Sequence, residues 1–326
     1  MKFGIIGTNF VSDFFMSGAL QCPDCEVVAV AGTSKEKAEN FAKKYDIPYS
    51  FGSFEEMYEA GIIEAAYVGV PNGKHLAISV YFLERKIPVF CEKPLASNLR
   101  EVQEMIECAK RNQTYLHEGL VPLFNPNFQA LKEALPLVGP IRQVTFNFSK
   151  YSSRYDAYLA GENPTTFRSD LSNGAIMDLG VYPIGLCVAL FGIPDKILSA
   201  SSLLDTGADV SGTSIFCYPS FNAAISYSKA SDTNIVNEIC GEAGTIYVDY
   251  TSRLGSMYFI NRLTKEKIVI GEELKEGFYY QIKDMIEAVA SGAIESRGVP
   301  FATSIAVHSV ITECRRQSGI IYPADL

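Results

Sequence analysis

Two short stretches of this chain collect residue types that can move protons. The first is Phe90-Cys91-Glu92-Lys93-Pro94, where an apolar run over residues 87–91 stops in a carboxylate, an amine and a proline. The end of a buried strand is where an open α/β sheet presents its chemistry. A lysine there can be partly desolvated, and desolvation lowers an amine's pKa toward the range where it can pass protons. A surface lysine that merely closes a strand would read the same way, so the tripeptide needs its context. The second stretch is Gly174-Ala175-Ile176-Met177-Asp178-Leu179-Gly180-Val181-Tyr182-Pro183. On an α-helix Asp178 and Tyr182 lie four apart and share a face. A carboxylate and a phenol in an apolar segment must find polar partners, either in a ligand or in each other.

A third stretch binds rather than reacts. Gly4-Ile5-Ile6-Gly7-Thr8-Asn9-Phe10-Val11-Ser12 follows a strand and opens a helix, the context of a dinucleotide fingerprint. Gly7 supplies the tight turn. Asn9 stands where a second glycine would let the backbone approach a pyrophosphate, and Ser12 replaces the third. Asparagine tolerates left-handed dihedrals, so the turn survives. Thr8, Phe10 and Val11 complete the loop expected to face the cofactor. The acid that usually follows the second strand and holds the ribose 2′-hydroxyl is missing. Thr33, Ser34 and Lys35 stand there instead, two hydroxyls and an amine suited to a 2′-phosphate, which leans the reading from NAD toward NADP. Ser34 as a plain helix cap and Lys35 as a solvated residue are the alternative. Val70-Pro71-Asn72-Gly73-Lys74-His75 ends the next strand on the same rim, with Pro71 and Asn72 expected beside the cofactor. His75 either packs at the helix start or reaches a ligand.

The elements that must position these residues fall into two patterns. Up to about residue 119, apolar strands at 3–6, 26–31, 65–70, 87–91 and 114–117 alternate with helices near 10–20, 35–45, 74–85 and 98–112. Ser53 with Glu56 makes a capping box for another. Strands separated by helices of this length predict a doubly wound parallel sheet. Beyond residue 120 the period changes. Alternating segments near 144–148, 197–205, 222–228, 235–240, 245–250 and 256–260, with helices at 174–191, 274–291 and 301–318, predict an α+β domain with an open-faced, mainly antiparallel sheet. The expected division is a Rossmann domain over 1–119 and a substrate-binding and oligomerisation domain over 120–326.

Composition narrows the classes. A chain of 326 residues exceeds what one core usually spans. The net charge of −9 argues against nucleic acid and anionic membrane surfaces. Met1-Lys2 runs straight into a strand, so no secretory signal is expected. Residues 174–193 approach membrane-spanning length, but Asp178, Gly180 and Pro183 interrupt them and a buried helix is the better reading. Eight cysteines lie mostly in apolar periodic segments, and the lone Cys22-Pro23-Asp24-Cys25 has no second pair to complete a zinc site. Free thiols predict a reducing, cytoplasmic setting without a metal.

Taken in order, G-x-x-x-x-S after strand one, P-N-x-x-H, E-K-P, and G-A-x-x-D-x-G-x-Y resemble the glucose–fructose oxidoreductase/inositol dehydrogenase/MocA (Gfo/Idh/MocA) family. Gly241-Glu242-Ala243-Gly244-Thr245-Ile246 is similar to that family's G-x-x-G-x-I turn, and the likeness spans essentially the whole chain. The resemblance implies a cleft between the two domains and hydride transfer between NAD(P) and a sugar or small carbonyl compound. It makes Lys93 the acid/base and Asp178 the residue that orients substrate. Many members carry histidine where this chain has Tyr182. The tyrosine resembles the dihydrodiol-dehydrogenase-like members and implies phenol-assisted proton transfer. Glu92 accompanies Lys93 at the cofactor, and Arg168 and Tyr151 are further substrate contacts. A cofactor-retaining glycosidase and a non-catalytic NAD(P)-binding sensor are the competing readings. A half-covered sheet implies a homodimer or homotetramer.

Overall fold

β1 (Lys2–Ile6) is buried over its last four residues, and β4 (Ala65–Val68) over all four, which is why both are apolar on either face. They are the centre of a six-stranded parallel sheet ordered β3-β2-β1-β4-β5-β6, with β2 (Glu26–Ala31), β3 (Tyr49–Phe51), β5 (Val89–Cys91) and β6 (Leu116–Glu118). The computed structural model describes residues 1–326. Helices α1 (Phe10–Ala19), α2 (Lys35–Tyr45), α3 (Phe54–Glu59), α4 (His75–Glu84) and α5 (Leu99–Asn112) make the crossovers. The strand order reverses between β1 and β4, so their carboxyl ends form the switch point where such sheets bind ligands. The three-residue β3 escaped the sequence reading because it is too short to show a period.

Two compact units result. One contains Met1–Ala96, Arg100–Gly119 and Lys275–Ser304; the other contains Ser97–Leu99, Leu120–Leu274 and Ile305–Leu326. The sequence offers a single cut at 119/120, but the chain returns to the first unit over Lys275–Ser304. Phe278 gives the physical reason. It is 8% exposed and packs on Phe14, Tyr67 and Phe90, with ring centroids 6.2, 6.4 and 5.9 Å away.

The second unit begins with α6 (Val121–Phe124) and α7 (Pro126–Ala134) and is built on an eight-stranded sheet ordered β14-β13-β12-β11-β7-β10-β9-β8. In chain order the strands are β7 (Ile141–Ser149), β8 (Lys196–Leu203), β9 (Asp209–Cys217), β10 (Asn222–Ser228), β11 (Asn237–Gly241), β12 (Gly244–Val248), β13 (Met257–Asn261) and β14 (Lys267–Ile270). Every neighbouring pair is antiparallel except β7 with β10. The expected mixed fold class is therefore the observed one. Helices α8 (Ser153–Leu159), α9 (Val181–Phe191), α10 (Tyr279–Ala290) and α11 (Phe301–Ser318) complete the chain, with α10 in the first unit. Residues 169–191 are long and apolar enough to span a membrane by composition, but 72% of the most apolar window is buried inside the protein. All eight cysteines are free, and burial foremost, then Cys22, pushes the Cys25 thiol up to about 12, far from a redox thiolate.

Candidate active site

The switch point is built by close backbone approach. Gly7 has φ of 110°, and a Cβ there would lie 2.1 Å from the carbonyl oxygen of Gly69. No other residue fits. Asn9 does not use the left-handed region expected of it. Its backbone is extended (φ −90°, ψ 178°), and its side chain caps α1 by accepting from Val11 N at 3.1 Å. The same amide donates to Gly69 O at 2.9 Å, and Ser12 Oγ donates to Gly7 O at 2.9 Å. Polar side chains thus fix the loop where glycines usually leave space. The helix start remains at the sheet's carboxyl edge, where its positive dipole end favours a phosphate. This cradle fits a dinucleotide.

After β2, Thr33, Ser34 and Lys35 are all exposed. Ser34 caps α2, accepting from Lys37 N at 3.4 Å. Lys37, which the sequence reading passed over, donates from Nζ to Thr33 Oγ1 at 3.4 Å. One helical turn brings it back to the hydroxyl.

The Glu92-Lys93-Pro94 turn follows β5, with a cis Lys93–Pro94 bond. Glu92 is 4% exposed; its Oε1 accepts from Tyr67 Oη at 3.1 Å and its Oε2 from Lys93 N at 3.3 Å. The carboxylate therefore holds the backbone that carries the half-buried Lys93. Pro71 is half-buried, and the buried Asn72 starts a short 3-10 turn ahead of α4. His75 is fully buried, with Nδ1 2.9 Å from Pro94 O and Nε2 2.9 Å from Val70 O. Burial lowers its pKa more than the two carbonyls raise it. A neutral ring carries one N–H and so donates to one of these two carbonyls, with both nitrogens enclosed between the β4 loop and the Lys93 turn.

In the second unit the Asp178 segment is not the α-helix that its spacing predicts. Ile176–Gly180 is a π-helical turn that passes into α9. Such turns recur at functional sites because they re-aim side chains. Asp209, at the start of β9 and fully buried, anchors the turn: Ile176 N donates to its Oδ2 at 2.8 Å. Burial pushes the Asp209 carboxyl up to about 7. Lys229, just beyond β10, forms an ion pair with Asp178. Tyr182 is half-buried against Phe148 of β7, with centroids 5.5 Å apart. Neither Asp209 nor Lys229 was found by sequence reasoning, since each looks like an ordinary strand-end polar residue. The two weaker substrate candidates already have protein partners. Arg168 Nε donates to Asp170 Oδ1 at 3.0 Å, and Tyr151 Oη donates to Asp156 Oδ1 at 2.6 Å.

A nucleotide cradle, a strand-end lysine and a carboxylate-bearing turn define an NAD(P)-binding oxidoreductase of the Rossmann class. The family models agree. Residues 1–120 match the oxidoreductase family with an NAD-binding Rossmann fold, and residues 128–247 match the GFO/IDH/MocA C-terminal domain, so the chain belongs to the Gfo/Idh/MocA family. It is 37% identical to the NADP(+)-dependent scyllo-inositol 2-dehydrogenase IolU of Bacillus subtilis, over 100% of this chain and 99% of the relative. It is 38% identical to the uncharacterized oxidoreductase YgjR of Escherichia coli, over 100% and 98%. It is 30% identical to trans-1,2-dihydrobenzene-1,2-diol dehydrogenase of Danio rerio, over 100% and 99%. Among solved structures, the 3-ketoreductase KijD10 of Actinomadura kijaniata, in complex with NADP and TDP-benzene, superposes with a TM-score of 0.85 at 19% identity, covering 98% of each chain.

Proposed function

We propose that this oxidoreductase interconverts a ring alcohol and its ketone, or a related sugar carbonyl, with NADP(H) preferred over NAD(H). The carrying observation is Asp178: a carboxylate paired with Lys229 on a re-aimed turn, with 40% of its side chain still exposed. A charged acceptor with an outward aspect suits hydroxyl donors. The relatives support the substrate class, since scyllo-inositol and dihydrobenzene-diol both carry adjacent hydroxyls on a ring. Thr33, Ser34 and Lys37 support the cofactor preference, offering hydroxyls and an amine to a 2′-phosphate.

A bound nicotinamide supplies the hydride chemistry. Gly7, Thr8, Asn9, Phe10 and Val11 would hold the pyrophosphate of the dinucleotide that carries it. Lys93 takes or returns the substrate hydroxyl proton, Tyr182 shares that transfer, and Asp178 accepts from a neighbouring hydroxyl. Glu92 keeps the Lys93 backbone in place. Eight free thiols support a cytoplasmic setting, and the exposed Leu198, Leu203 and Val269 of β8 and β14 support a homodimer or homotetramer.

The test is a screen of polyols, sugars and aldehydes with both cofactors, read at the nicotinamide absorbance band. Lys93→Met should lower kcat by about 10²–10⁴-fold, the usual contribution of general acid–base groups, at nearly unchanged cofactor affinity. Full activity in that variant refutes the assignment. Glycoside hydrolysis without net cofactor reduction would instead identify a cofactor-retaining glycosidase, and tight cofactor binding without any turnover a sensor.

A further inference from the structure

A lysine as enclosed as Lys229, 6% exposed, is costly unless its ammonium is paired. The sheet does not call for an amine there. Lys229 extends the ladder with its backbone alone, donating from N to Val210 O at 2.9 Å. Its partner is Asp178, and the pair is lopsided: the lysine side chain is 7% exposed and the aspartate side chain 40%. The ammonium therefore meets the carboxylate from the protein interior, and the carboxylate keeps its outward aspect. The ends of β9 and β10 grip the same turn at two further points. Asp209 Oδ2 accepts from Ile176 N at 2.8 Å. Gly180 sits so close on Tyr227 that a Cβ would come within 2.9 Å of its ring. A π turn lacks the regular side-chain directions of an α-helix, so its aim depends on such anchors.

We propose that Lys229 is a positioning residue for the reaction, locking the Asp178 carboxylate in one orientation as the acceptor for the hydroxyl next to the reacting carbon. It would thereby select vicinal diols over the corresponding deoxy compounds. A site built to hold a hydroxyl discriminates strongly against the analogue that lacks it. The inference rests on the function proposed above.

The test compares wild type, Lys229→Met, Asp178→Asn and the double variant on a cyclic polyol and on its analogue without the adjacent hydroxyl. Lys229→Met should raise the polyol KM tenfold or more and shrink the polyol-to-deoxy preference by a similar factor. NADPH affinity, read by fluorescence titration, should stay within twofold. The double variant should lose no more than the worse single variant, since the two residues act as one unit. Lys229→Gln, which keeps a polar head, should behave alike and serves if the methionine variant does not fold. Thermal unfolding gives a readout independent of turnover. Asp178→Asn should lower Tm by leaving the ammonium buried without its anion, and adding Lys229→Met should restore it. A wild type inert toward every compound overturns the functional reading and this role with it. An active wild type whose KM and preference survive loss of Lys229, or single losses that multiply, overturns the positioning role alone.

Discussion

Asp209→Asn tests how the turn beneath Asp178 is anchored. The Asp209 carboxyl is fully buried, and burial raises it from an ordinary value of 3.8 to about 7. The folded protein therefore keeps this proton after the unfolded chain has released it. Between those two values the folded state binds more protons, so stability falls as pH rises, by about 1.4 kcal/mol per pH unit. Above about 7 the loss is complete. The whole window is worth roughly 4 kcal/mol as an order of magnitude. The sequence pI is about 5.0, so measurements belong above pH 5.5. That leaves about 1.5 units, or about 2 kcal/mol. Asparagine has the same shape, accepts from Ile176 N in the same way and cannot ionise. Urea unfolding at half-unit steps from pH 5.5 to 8 should show the variant gaining about 2 kcal/mol on wild type by pH 7, then running parallel to it. Any constant cost of an amide beside Gly174 shifts one curve without changing its slope. Curves that stay parallel from pH 5.5 upward would refute the burial argument.

Other outcomes follow from the two units. Tyr182→Phe should lower kcat as far as Lys93→Met does, with the double variant little worse, because members of one relay are not additive; an unchanged kcat would leave the phenol with a packing role against Phe148. Lys37→Ala should weaken NADPH binding about tenfold, about 1.4 kcal/mol, and leave NADH within twofold; equal losses for both cofactors would refute a 2′-phosphate contact. Leu198, Leu203 and Val269 are 49%, 43% and 75% exposed on β8 and β14. Light scattering at micromolar concentration should accordingly report a homodimer or larger, and a monomer would count against assembly through this sheet.

The sequence carried the parallel sheet clearly, because buried strands and crossover helices differ in period and length. It also carried Gly7, Ser34 as a cap, and the Glu92-Lys93-Pro94 turn, since each depends on neighbours within a few residues. What escaped it depends on distant partners. Lys229 reads as a solvated strand end until Asp178 lies beside it. Asp209 lies 33 residues from the backbone amide it receives. The spacing of Asp178 and Tyr182 predicts an α-helical face, and nothing local announces a π turn that Asp209, Lys229 and Tyr227 hold from outside. The parallel pairing of β7 with β10, and the return of residues 275–304 to the first unit, are likewise long-range choices without a local signature.

That return governs how the protein can be made. The first unit needs the chain through Ser304, and the second needs it through Leu326. Domains usually fold as they leave the ribosome, but residues 1–119 emerge without Phe278, the ring that packs against Phe14, Tyr67 and Phe90. Neither residues 1–119 nor residues 120–326 coincide with a compact unit. An expression boundary at 119/120 would yield two unfinished fragments, and a nonsense mutation anywhere before residue 304 would leave both units incomplete.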